Sequence, residues 1–298
     1  MLDTDIRTHY EHEIKTAREI YPNNLPPIFS LIEKESNPID FKEELLAITQ
    51  LYLDGIVSSS GKTIEESVCK NTSDLNHVEE TWYMQRDVLN SLVSAGKKAI
   101  GSFYEGNSID IDVIKEIFMP YKAEILKDSE HERSKERRLQ GVIAPIHTLG
   151  SRLQQRLGTD IETPDTIICI SSGGFELSYL AMNITGTDRL ITVRYSRYAK
   201  GDTKVRIPKN APCQYLDTEI KNKRIMVVDD WISSGNSLSH VMQYILKSQP
   251  LELYAVTATS NGYLSNPNIK IREGHPLIYE YIPMNQPEQQ ILIRTSDE

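Results

Sequence analysis

The stretch Lys223 to Leu238 constrains the fold of this chain most. Ile225 to Val228 is an apolar run rich in β-branched residues, flanked by Lys223-Arg224 and by the carboxylates Asp229-Asp230. That is the pattern of a buried strand of parallel type, ending at Asp229. Small, hydroxylated and glycine residues follow, and then Leu238, Val241, Met242 and Ile245 recur at helical spacing. The polar loop therefore sits at a helix N-terminus. Unpaired N–H groups and partial positive charge favour an anion there, and Ser233, Ser234 and Ser237 add hydroxyl donors, so the loop reads as a phosphate site.

Two domains are expected from 298 residues with 39% hydrophobic content, since a domain takes roughly 100–200 residues. A net charge of -9 argues against a general nucleic-acid binder, which needs a clustered basic face. Cys69, Cys169 and Cys213 are odd in number and far apart; they suggest neither a disulfide framework nor a metal knuckle, and a reducing, cytoplasmic setting fits. The acidic start Met-Leu-Asp-Thr-Asp and the lack of a long apolar run give no sign of a signal peptide or membrane span.

Residues 1–135 read as an all-helical domain. Phe41, Leu45, Ile48 and Tyr52 define one amphipathic face, and Val78, Trp82, Leu89, Leu92 and Val93 define another between Asp74 and Ile100. A third segment, Asp110 to Lys127, carries Ile114, Phe118 and Ile125 and is interrupted by Pro120. His9 and His12 are three apart on a helix but are interleaved with Glu11 and Glu13 and lack a third ligand; a solvated helix face is the better reading than zinc. The alternating charges from Lys127 to Arg138 read as an exposed, internally paired helix or a linker.

Residues 136–298 read as an α/β domain, a parallel sheet flanked by helices. Ile146, Leu149, Leu153 and Leu157 mark a helix ending near Gly158, and Thr166 to Ile170 is a compact strand after Pro164. That strand runs into Ser171-Ser172-Gly173-Gly174 and then into the helical pattern of Phe175, Leu177, Leu180 and Ala181. This is a second strand–loop–helix junction, where paired glycines let backbone N–H groups approach an anion. Leu190 to Val193 reads as a strand, and five basic residues lie within the thirteen from Arg194 to Arg206, a locally positive segment suited to an anionic ligand or an exposed hairpin. A further strand spans Leu253 to Thr259, and the tail, rich in Pro, Tyr and Ile, is expected to complete a cap.

Ile225 to Ser237 resembles the phosphoribosyl-pyrophosphate motif of the type I phosphoribosyltransferases: four apolar residues, two acids, two usually apolar residues, small hydroxylated residues, glycine, any residue, then Ser or Thr. The resemblance covers about Arg138 to the C-terminus. It implies a transferase of the pentosyltransferase class in nucleotide metabolism, carrying the 5-phosphoribosyl group from phosphoribosyl pyrophosphate to a nucleobase or other small acceptor with Mg2+. By the same resemblance Asp229, Asp230 and Arg197 are the catalytic groups. Ser172, Gly173, Gly174, Lys200, Ser233, Ser234, Gly235, Asn236 and Ser237 contact the donor, and Asp229 and Asp230 hold the metal directly or through water. Carboxylates beside a ribose that gains positive charge are favoured more in the transition state than in the ground state.

Three departures narrow the expectation. Trp231 stands where a smaller aliphatic residue is usual, and Ser172 where a lysine is common. Ser233 stands where the purine-salvage branch often has an aspartate acting as general acid/base, work that serine cannot do near neutral pH; hypoxanthine and guanine are thereby disfavoured as acceptors. Tyr263, Tyr279 and Tyr281 either stack on a planar acceptor or pack the cap. A non-catalytic phosphoribosyl-pyrophosphate-sensing regulator is the alternative, although no DNA-binding helix-turn-helix is evident. A scaffold role ranks below both, and a homo-oligomer stays open.

Overall fold

The computed structural model describes residues 2–3, 6–18, 21–22, 24–57, 75–129, 143–159, 161–171, 173–195, 205–212, 215–232, 236–259, 277–281 and 291–295. They form two compact units. The first draws its described residues from Met1–Gly61, Thr72–Ile143 and Pro208–Ala211, the second from Ala144–Ile207 and Pro212–Glu298.

The first unit is helical: α1 (Ile6–His9), α2 (Glu11–Thr16), α3 (Leu25–Ile32), α4 (Pro38–Val57), α5 (Leu75–Tyr104), α6 (Ile111–Phe118) and α7 (Lys122–Asp128). Asp110 caps α6 by accepting from the Val113 N–H, and Pro120 lies in a 3-10 turn, Met119–Tyr121, that separates α6 from α7. Proline fits the first turn of a helix but not its interior. Phe41, Leu45, Ile48 and Tyr52 are buried on α4, as are Trp82, Leu89, Leu92 and Val93 on α5; the side chain of Val78 lies outside the described residues.

The opposite side of α4 departs from a one-faced amphipathic helix: Asp40, Lys42, Glu43 and Glu44 are buried too. Burial of charge requires partners. Arg18 bonds Glu35 and Glu44 and donates its backbone N–H to Asp40 Oδ1 at 3.0 Å. Lys42 Nζ donates to Glu43 Oε1 at 2.6 Å and lies 5.3 Å from the Phe103 ring centroid. Near its C-terminus α4 passes so close to the end of α7 that a Cβ at Gly55 would stand 1.9 Å from the Asp128 carbonyl. Pro208–Ala211 belongs to this unit through backbone and side chain: the Lys209 N–H donates to Ile56 O at 3.0 Å, and Asn210 Nδ2 donates to Gln85 Oε1 at 3.1 Å.

His9 and His12 are exposed, and among the described residues no group of three or more His, Cys, Asp or Glu is placed to hold a metal. Most of the charged run, 130–138, lies outside the described residues. No described helix is long and apolar enough to cross a membrane.

The second unit opens at Ala144 in α8 (Ile143–Arg156), whose Ile146, Leu149 and Leu153 are buried and which is followed by Gly158 at φ +80°. Then come β1 (Thr166–Ser171), α9 (Phe175–Thr185), β2 (Leu190–Arg194), α10 (Tyr215–Ile220), β3 (Arg224–Ile232), α11 (Asn236–Lys247), β4 (Glu252–Thr259), β5 (Leu277–Tyr281) and β6 (Ile291–Thr295). They make one sheet in the order β2-β1-β3-β4-β5-β6, with β6 antiparallel to β5 and every other pair parallel. Continuous apolar runs such as Ile167 to Ile170, buried without alternation, are what a sheet covered on both faces requires.

The tail adds two strands that the sequence pattern did not single out. Within the tail, 277–281 and 291–295 extend the sheet, because their apolar and β-branched residues continue the ladder beyond β4; the rest of the stretch expected to complete a cap lies outside the described residues. Tyr279 pairs with Ala255 in that ladder and Tyr281 with Ile291; Tyr263 lies outside the described residues.

Candidate functional site

The strand order fixes where a ligand can enter. From β1 the chain crosses through α9 to β2 on one side, and from β3 it crosses through α11 to β4 on the other. Neighbouring β1 and β3 therefore part at their C-terminal ends and leave a crevice, the switch point where open α/β sheets bind ligands. The last pair between them is Cys169 with Val228. The two loops singled out in the sequence thus begin side by side, one after Ser171 and the other after the Asp229-Asp230 pair.

The first loop is held down tightly. A Cβ on Gly174 would lie 2.8 Å from Ile170 O, 3.1 Å from Val228 O and 3.4 Å from Cys169 Sγ, so only glycine lets the start of α9 rest on the ends of both strands. That close approach brings the first N–H groups of α9 to the crevice. Gly173 and Gly174 form the turn, and Ser171 at its root is fully buried with no hydrogen-bond partner for its Oγ among the described residues. Glu176 was not anticipated: it is buried in the first turn of α9, where the positive end of the helix favours a carboxylate. Its sequence signal is an acidic residue just inside a helix start.

The second loop differs from the expected strand end at Asp229. Strand β3 continues to Ile232, and its register against β4 shifts between Asp229, which pairs with Thr257, and Trp231, which pairs with Ala258. Asp230 is the extra residue of a β-bulge. Bulges interrupt strict alternation and re-aim side chains beside functional sites. The faces follow from the register, because paired residues of parallel strands share a face. Cys169 Sγ points toward Gly174, which puts Val228 and Thr192 on the α9 side. Asp229, one residue further along β3, faces the α11 side, as does Tyr195, whose ring lies against His240 of α11. Asp229 is buried at 8% exposure; Asp230 is placed by its backbone alone.

Helix α11 begins at Asn236 and Ser237, with Leu238, Val241, Met242 and Ile245 buried beneath it as their spacing requires. At the edge of the sheet the backbones of Arg194 and Arg206 exchange two hydrogen bonds of 2.8 Å, closing the base of the basic segment. Next to that base Tyr195 stacks on His240 of α11, with ring centroids 5.3 Å apart and planes inclined by 28°. The structure therefore brings Gly173, Gly174, Asp229, Asp230, Asn236 and Ser237 to one end of the sheet. Ser172, Arg197, Lys200, Ser233, Ser234 and Gly235 lie outside the described residues.

Residues 147–270 match the family model described as phosphoribosyl transferase domain. The matched range runs from α8 past β4, and the α/β unit has the parallel sheet and flanking helices of the type I phosphoribosyltransferase fold. Solved structures similar to this chain include a purine phosphoribosyltransferase from Pyrococcus horikoshii Ot3, 22% identical, covering 47% of this chain and 80% of that chain with a TM-score of 0.33. Others are a hypothetical protein from Neisseria gonorrhoeae with bound ppGpp (18% identity, 46% and 79% coverage, TM-score 0.36) and a hypoxanthine-guanine phosphoribosyltransferase from Bacillus anthracis (18%, 49% and 81%, 0.34). No curated protein matches the chain.

Proposed function

We propose that the chain is a phosphoribosyltransferase that moves the 5-phosphoribosyl group from phosphoribosyl pyrophosphate to a nucleobase or other small acceptor. The observation that carries this reading is the switch point itself, where the Gly173-Gly174 turn and the bulged Asp229-Asp230 pair stand on adjacent strands. The donor's 5-phosphate is assigned to the start of α11, with Asn236, Ser237 and the preceding Ser233, Ser234 and Gly235. Its diphosphate is assigned to the start of α9, with Ser172, Gly173, Gly174, Arg197 and Lys200, and its ribose hydroxyls to Asp229 and Asp230.

In the reaction the bond from ribose C1 to the diphosphate oxygen breaks, pyrophosphate leaves with the electron pair, and a lone pair on the acceptor forms the new bond to C1. Positive charge grows on the ribose as the bond breaks, and the carboxylates of Asp229 and Asp230 beside it stabilise that charge more than they stabilise the ground state. The N–H groups at the start of α9 and the basic side chains hold the departing diphosphate. Magnesium suits the residues present: a buried carboxylate at a strand end together with donor phosphates, and no closed protein cage among the described residues, is the way this ion is held. When bound it would neutralise charge on the diphosphate.

Pyrophosphate release measured with Mg2+, phosphoribosyl pyrophosphate and a panel of acceptors tests the reading. Release that depends on one acceptor class supports it. Tight donor binding with no release for any acceptor would instead favour a sensing protein, and no donor binding would end both.

A further inference from the structure

On this reading the two ends of the donor sit on different elements, the 5-phosphate on α11 and the diphosphate beside the ends of β1 and β2. A ligand that spans two subsites gains affinity only when their separation matches its own length. A side-chain contact among the described residues ties those elements together across the crevice. Tyr195 is the residue after β2, whose Arg194 pairs with Ser171 at the root of the Gly173-Gly174 turn. Its buried ring stacks on His240. On α11, His240 follows Asn236 by four residues and Ser237 by three, so it shares their face. Helical side chains lean toward the N-terminus, which lays the imidazole over the turn that carries the phosphate-side residues. The Tyr195 hydroxyl is 3.5 Å from His240 Nδ1, at the outer limit of a hydrogen bond, so ring stacking is the principal contact.

We infer that Tyr195 and His240 are positioning residues whose stack sets the spacing between the 5-phosphate and diphosphate subsites. The inference rests on the phosphoribosyl-pyrophosphate reading and adds to it a pair of aromatic rings outside the residues assigned to either phosphate.

Calorimetric titration of the full chain in Mg2+ with ribose 5-phosphate, inorganic pyrophosphate and phosphoribosyl pyrophosphate tests it. In His240→Ala the intact donor should bind about five-fold more weakly, the scale of one aromatic pair, while each fragment binds as it does to the wild type. His240→Phe and Tyr195→Phe keep two stacked rings and should stay within about two-fold of the wild type for all three ligands. Unchanged donor affinity in His240→Ala overturns the inference. So does an equal loss for a fragment and the donor, which would mean direct contact or local collapse, and so does a loss in the phenylalanine variants as large as in alanine. A wild-type chain that binds none of the three ligands removes the donor reading, and this inference with it; a binding wild type with a flat variant series removes the inference alone.

Discussion

Gly174 has no room for a side chain. Carbonyl oxygens from two adjacent strands stand 2.8 Å and 3.1 Å from where its Cβ would be, and backbone cannot move aside as a flexible side chain can. Gly174→Ala should therefore lift the start of α9 from the strand ends, cost about 1–3 kcal/mol of stability, and weaken pyrophosphate binding more than ribose 5-phosphate binding. Thermal melts and titrations read the two effects separately. Glu44 shows a different constraint. Burial raises its carboxyl from 4.5 to about 7, with Glu35 and Asp40 adding to the rise and Arg18 opposing it. The folded state then holds the proton more tightly than the unfolded chain does. Its contribution to stability is fully present below 4.5 and is lost as the pH climbs through about 7. The shift corresponds to at most ~3 kcal/mol. Glu44→Gln should flatten that part of the stability profile, so denaturant unfolding at pH 5 and pH 8 should differ less in the variant than in the wild type.

At the scale of elements, β3 is the strand that does not stay regular, and its irregularity falls at the Asp229-Asp230 pair. An unbroken strand would turn Asp229 and Asp230 to opposite faces; the bulge releases the second from that rule. Asp229→Asn and Asp230→Asn preserve size and strand pairing, so each should leave the melting temperature within a few degrees while lowering turnover by about 100-fold or more. A melt beside a pyrophosphate-release assay checks this, and full activity in both variants would remove the carboxylates from the mechanism. The run Ile225 to Val228 was legible as a strand because buried parallel strands need apolar residues on both faces, and α11 was legible because Leu238, Val241, Met242 and Ile245 keep a helical period. The bulge was not legible. It is a relation between β3 and β4, set by Asp229 meeting Thr257 and Trp231 meeting Ala258, and no local pattern encodes it. The burial of charged residues on α4 was hidden for the opposite reason: Asp40, Lys42, Glu43 and Glu44 look like a solvated face until Arg18 and the ring of Phe103 supply their partners. The two short strands of the tail were not picked out because Pro and Tyr obscured them.

Over the whole molecule, the helical unit is not a simple N-terminal segment. Pro208–Ala211, which lies in sequence between β2 and α10, packs as part of it, and Gln85, which accepts from Asn210, also donates to Asp128 Oδ2 at 3.1 Å. Asn210→Ala should therefore destabilise the helical unit by about 1 kcal/mol, and hydrogen exchange should quicken in peptides from α5 and α7 although the substitution lies in the other half of the sequence. If exchange changed only around α10, the assignment of this strap would be wrong.

The borrowed strap also bears on synthesis at the ribosome. A domain contiguous in sequence is complete as soon as its last residue emerges, but this one is complete only once Pro208–Ala211 has followed. At about 5–20 residues per second, the roughly 60 intervening residues represent a delay of several seconds. During that interval the nascent helices would present the Ile56 carbonyl and the Gln85 side chain without the residues that later bond to them.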